Sequence, residues 1–173
     1  MHRRMLVLMA PAAIVLGAML SAANLQLSSP AFPPNGQIPV KYTCDGDSIN
    51  PPLVFNAVPP NAQSLALIVE DPDVPKNLRP SGVFDHWLVW DLPADSKGIP
   101  ESAGKIGISG SGKPGFVGPC PPDREHRYFF KLYALDTKLT GAKIANKQEL
   151  ESLMEGHIID RAELVGRYDR HKK

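Results

Sequence analysis

Eighteen prolines are distributed through this chain of 173 residues, and they restrict its fold more than any other feature. A proline inside a helix removes a backbone hydrogen bond, and its ring clashes with the preceding turn. Recurrent prolines therefore favour short strands and ordered loops over helices. Residues 24–62, rich in Pro, Asn and Gly, read as short strands and turns, with turn chemistry at Cys44-Asp45-Gly46-Asp47 and Asn50-Pro51-Pro52. Stronger strands are predicted at Ser64 to Glu70 (SLALIVE), Phe84 to Leu92 (FDHWLVWDL, between Gly82 and Pro93) and Arg127 to Leu135 (RYFFKLYAL). Residues 98–122 hold seven glycines and five prolines and predict a long loop with one short strand at Lys105–Ser109. Ala162 to Tyr168 reads as a last strand.

One helix stands out. Asn146 caps it, Glu149 completes an N-x-x-E variant of the capping box, and Leu150, Leu153 and Met154 follow at helical spacing before Gly156 ends it. Several strands with one or two short helices predict a mainly β fold, an antiparallel β-sandwich. Length and the absence of repeats or a linker predict one domain over 24–173.

Residues 1–23 read differently. A basic start at His2-Arg3-Arg4, an almost wholly apolar run from Met5 to Leu20 and the small residues Ser21-Ala22-Ala23 form the pattern of a secretory signal peptide. The alternative is an N-terminal membrane anchor, which would then be the chain's only link to a membrane; Pro11 and Gly17 interrupt the run, and it is short for a bilayer span. The expected location is exported, periplasmic or secreted. Without this segment the chain carries 17 basic and 18 acidic residues, which leaves no electrostatic footprint for nucleic acid. The basic tail of Arg167, Arg170, Lys172 and Lys173 reads as a solvated end. In an oxidising compartment Cys44 and Cys120 can close one disulfide, the alternative being two buried thiols.

Three segments could carry chemistry. Asp71 and Asp73 lie between prolines directly after a buried strand, either as pocket carboxylates or as turn residues bonding their own backbone. In Phe84-Asp85-His86-Trp87, alternation places Phe84, His86 and Leu88 on one face and Asp85, Trp87 and Val89 on the other. A mid-strand histidine is usually a satisfied core residue and gains interest when a carboxylate faces it. His126 and Tyr128 share a face at a strand entry, and Gly118-Pro119 lets backbone approach a ligand closely. No G-x-S-x-G elbow is present, and in GSGKPG the lysine Lys113 precedes proline, which excludes a P-loop. No short metal-binding spacing occurs, so neither a metal nor a cofactor is expected. His157 reads as a turn residue.

DPDVP, DHWLV, GPCPP and HRYFFKLYAL, in this order and spacing, closely resemble the phosphatidylethanolamine-binding protein family, in particular its bacterial Raf kinase inhibitor-like branch. YTCDGDSINPPL and LESLMEGHIIDRAELVGRY extend the resemblance over residues 26–168. It implies a sandwich of Greek-key character with a small cavity for phosphate-like anions or phospholipid head groups. The implied lining is Asp71, Asp73, Phe84, His86, Gly118, Pro119, His126 and Tyr128. Phe84 stands where eukaryotic members usually carry tryptophan, and the C-terminal helix of mammalian members is not expected, since the chain stops soon after Tyr168. The resemblance favours a binding protein, with a possible regulatory role, over an enzyme. The alternatives are a small hydrolase using the His/Asp pocket and a protein-binding inhibitor acting through its surface. A homodimer is compatible with either. His86 and His126 beside Asp71 are expected to be protonated, because an adjacent opposite charge favours the charged form.

Overall fold

The apolar run that begins at Ser64 is buried at every position. In an antiparallel sheet this requires cover on both faces, and the rest of the chain supplies it. The computed structural model describes residues 24–170. The expected export segment, 1–23, and the tail residues Lys172 and Lys173 lie outside the described residues. In chain order the elements are β1 (Gln26–Ser28), β2 (Leu53–Asn56), β3 (Ser64–Asp71), β4 (Phe84–Pro93), β5 (Gly98–Ile99), β6 (His126–Leu135), α1 (Lys147–Met154) and β7 (Ile158–Tyr168). A 3₁₀ turn lies at Val40–Tyr42.

The larger sheet has the order β4-β3-β6-β7 and the smaller one β1-β2-β5, with antiparallel pairing throughout. After the β3–β4 pair the chain crosses to the small sheet as β5. It then returns as β6 beside β3, which gives the sandwich its Greek-key character. Leu65, Leu67, Val69, Trp87, Val89, Phe130 and Leu132 of the large sheet form one core with Leu27, Leu53 and Phe55 of the small sheet. On the opposite face Ala66, Ile68 and Leu88 pack with Leu135, Leu139, Ile144 and the helix residues Leu150 and Met154. Glu149 N–H donates to Asn146 Oδ1 at 3.0 Å, and Glu149 Oε2 accepts from Ala145 N–H at 2.8 Å, so the cap closes one residue earlier than a standard box.

Three local expectations change. The strand expected at Lys105–Ser109 reduces to a bridge between Ile108 and Leu88, because positive φ at Gly104 and Gly107 interrupts the extended run. The last strand begins at Ile158 rather than Ala162, since β7 pairs along β6 as far as Leu135. The third change is a β-bulge. Val69 pairs with Trp87 but Glu70 pairs with Asp85, which leaves His86 as the extra residue of β4. Simple alternation fails there: register puts Phe84 on the same face as Trp87, while Asp85 and Leu88 face the helix side.

Candidate functional site

The bulge lies at the start of β4, beside the turn that follows β3, and His86 and Asp71 line the same cavity there. A cavity of about 310 Å³ opens at this end of the sandwich. Its polar lining comes from Asp71, His86 and His126, and its apolar walls are Val74, Leu78, Phe84, Val117 and Pro122. Gly118 and Cys120 complete it.

Asp71 ends β3 and is almost wholly buried. Its Oδ1 accepts the Asp73 N–H at 2.8 Å, so the turn reading of this aspartate holds alongside its place in the cavity. Its Oδ2 lies 2.7 Å from His126 Nδ1, while His126 Nε2 lies 2.9 Å from Asp123 Oδ1. Ionised carboxylates only accept, so His126 either donates to both as an imidazolium or donates to one while the other carboxyl holds the proton. Burial raises the Asp71 carboxyl above its ordinary range, opposed by the His126 and Asp73 hydrogen bonds. The hydrogen bond from His126 lowers that of Asp123.

His86 departs from expectation. Its Nδ1 is 2.6 Å from the Val117 carbonyl, which can only accept, so Nδ1 carries the hydrogen and Nε2 is left as a bare acceptor. Burial pushes the imidazole down to about 4, opposed by the Val117 bond and reinforced by the charges of His126 and Arg79. The expected protonated His86 is therefore neutral at ordinary pH, because no carboxylate touches it and desolvation dominates.

Not every expected lining residue reaches the cavity. Asp73 turns away: Oδ1 accepts from Arg127 Nη2 at 2.7 Å, and Oδ2 from Arg127 Nε at 2.8 Å and its backbone N–H at 3.0 Å. That pairing holds the Asp73 carboxyl below its usual range despite partial burial. Tyr128 lies under the floor, its ring 5.2 Å from that of His86 and its hydroxyl buried without a hydrogen bond of ordinary geometry, within electrostatic reach of the Cys120 amide. Burial, then Asp71 and Asp73, raises the phenol far above its usual value. Pro119 is a support, accepting the Cys44 N–H at 3.0 Å. Cys44 and Cys120 are disulfide-bonded, with Cα atoms 5.4 Å apart, and both are solvent-exposed.

Val74, Leu78, Val117, Pro122 and Asp123 went unnoticed in the sequence. The signal for Val74 and Leu78 was apolar side chains inside a polar turn. Asp123 had none beyond lying three residues before His126. Arg79 backs the Phe84 wall, its guanidinium 4.7 Å over the ring, and lines a neighbouring recess with Asp85 and Lys147. Among the described residues no group of three His, Cys, Asp or Glu is arranged to hold a metal ion, and no helix is long and apolar enough to cross a membrane.

The sequence profile of the phosphatidylethanolamine-binding protein family matches residues 28–169. A UPF0098 protein of Chlamydia pneumoniae is 50% identical over 149 residues, covering 84% of this chain and 99% of that relative. One from Methanothermobacter thermautotrophicus is 45% identical over 155 residues, with 84% and 99% covered. Among solved structures, a putative phosphatidylethanolamine-binding protein homolog from Chlamydia trachomatis superposes with a TM-score of 0.80 at 44% identity, covering 86% of this chain and 99% of that one. The E. coli protein YbcL superposes with a TM-score of 0.74 at 27% identity, covering 84% and 98%.

Proposed function

The chain belongs to the phosphatidylethanolamine-binding protein family, and from that premise we propose that it is a binding protein whose cavity accepts a small phosphate-bearing anion or head group. The observation that carries this reading is the buried Asp71–His126 pair, backed by the exposed Asp123, and the bare His86 nitrogen in an otherwise apolar cavity of about 310 Å³. A few convergent polar groups in an apolar recess of this size suit a small ligand. Arg79, stacked on the Phe84 wall, adds a cation close to the cavity. Binding is favoured over hydrolysis because neither histidine contacts a hydroxyl or thiol nucleophile. Ser109 Oγ is 2.8 Å from Ser111 Oγ and bonded to the Lys113 carbonyl, outside the cavity lining. The exposed Cys44–Cys120 bridge supports action in an oxidising compartment, in keeping with the export signal read at residues 1–23.

The reading has a pH sign. The inner groups are acceptors, so an anion enters with a proton, either its own or one taken by Asp71 or His86. Affinity therefore falls as pH rises. A phosphomonoester loses its second proton near pH ~6. Calorimetric titration with O-phosphoethanolamine is expected to give binding at least about tenfold weaker at pH 8 than at pH 5. Equal affinity at the two values, or none at either, contradicts the reading.

A further inference from the structure

The histidines of this cavity have no N–H left to offer. His86 gives its Nδ1–H to the Val117 carbonyl at 2.6 Å. His126 has its Nδ1 on Asp71 at 2.7 Å and its Nε2 on Asp123 at 2.9 Å. The neighbouring wall amides are engaged too: Val117 N–H donates to the His86 carbonyl at 3.0 Å and Gly118 N–H to Ser48 Oγ at 2.9 Å. The Tyr128 hydroxyl is a donor, but it is sealed below the cavity floor. Of the cavity's polar side chains, what faces an incoming ligand is the lone pair of His86 Nε2 and the carboxylate of Asp71. Both accept.

The phosphate of a phosphodiester presents only acceptor oxygens, so against His86 Nε2 and Asp71 it would set lone pair against lone pair. A phosphomonoester in its monoanionic form carries one P–O–H. That hydrogen can be donated to His86 Nε2 while the remaining oxygens face outward, on the side of the Phe84 wall that Arg79 backs. We propose that this cavity selects a phosphate that carries its own proton, a phosphomonoester, over a phosphodiester of the same substituent. The proposal rests on the anion-binding reading above and specifies its ligand class. It separates two chemistries that a head-group pocket would otherwise treat alike.

The charged and titratable groups around His86 fix the pH behaviour. Asp71 comes from β3, Arg79 from the following turn, and His126 and Tyr128 from β6, with Asp123 behind His126. No carboxylate is hydrogen-bonded to His86 itself. A diester can bind once His86 takes a proton from solvent, which makes it progressively less handicapped as pH falls.

Calorimetry with the whole protein tests this. O-phosphoethanolamine and glycerophosphoethanolamine carry the same amine and differ in whether the phosphate keeps an ionisable hydroxyl. At pH 7 the monoester is expected to bind at least about tenfold more tightly, with the gap narrowing toward pH 5. Equal affinity at pH 7, or tighter binding of the diester, overturns the proposal while leaving the anion-binding reading intact. Saturation by neither compound overturns both. In His86→Gln the side-chain amide can donate, so the discrimination should collapse with diester affinity rising. Retained discrimination in that folded variant also counts against the proposal. Phosphatidylcholine vesicles with and without phosphatidate, a lipid whose phosphate is a monoester, identify the source. Specific binding to the phosphatidate vesicles supports a lipid form of the proposed ligand. Binding of the soluble monoester alone supports a free metabolite form.

Discussion

A histidine buried without a carboxylate contact loses its charge, and His86 is in that position. Its imidazole is held down to about 4 by burial, so the unfolded chain takes up a proton below about pH 6.5 that the folded chain refuses. Stability from this group is full above the unfolded value and is lost as pH falls from there toward 4. Asp71 has the opposite sign: its raised carboxyl stabilises at low pH, and that contribution is lost as pH rises through its folded value. His86→Gln isolates the first effect. In urea denaturation the wild type is expected to lose roughly 2–3 kcal/mol more than the variant between pH 7 and pH 4.5; parallel losses would show that His86 is charged in the fold. The types of these residues were legible in the sequence, while their convergence on one cavity was implied by the family resemblance rather than by the residues alone. Their protonation was not. It depends on which atom each nitrogen meets, and Val117 and Asp123 gave no sign of being those partners.

At the level of elements, the site is made by a bulge and a wall. Alternation along β4 places Phe84 and His86 together and Trp87 opposite. The extra residue at His86 instead leaves Phe84 and Trp87 on one face and sends Asp85 to the other, where Lys147 of α1 lies 3.9 Å away. A bulge is a mismatch between two strands, so one strand's sequence cannot announce it. The buried run of β3, the cap of α1 and the bounds of β4 were legible, because burial on both faces, an N-cap and flanking Gly or Pro leave local marks. The wall depends on Gly118. A Cβ there would lie 2.8 Å from the Tyr42 carbonyl oxygen and 3.0 Å from the Thr43 carbonyl carbon, where backbone cannot give way cheaply. Gly118→Ala is therefore expected to destabilise the domain by about 1–3 kcal/mol and to weaken O-phosphoethanolamine binding by moving the wall that carries Val117 and Cys120. A variant with wild-type stability and affinity would show that this close approach is dispensable.

Across the whole molecule, two sheets and a helix enclose the core, and one disulfide ties the loop before β2 to the cavity wall. The cysteines are 76 residues apart in sequence, so the bridge restrains a long loop of the unfolded chain. Chain-entropy arguments assign such a closure about 4 kcal/mol. Dithiothreitol should lower the urea midpoint accordingly, and an unchanged midpoint would mean that the bridge does not restrain unfolding. The sandwich class was legible from proline content and strand spacing, whereas the pairing order was not, since β6 returns to β3 only after the excursion through β5. On the proposed function the cavity presents acceptors, so that a phosphate binds together with a proton. Calorimetry of O-phosphoethanolamine binding in buffers of different ionisation enthalpy measures this directly. At pH 7 the complex is predicted to take up close to one proton, falling toward none at pH 5, where the monoester is already protonated. Binding at pH 7 with no proton uptake would contradict the account.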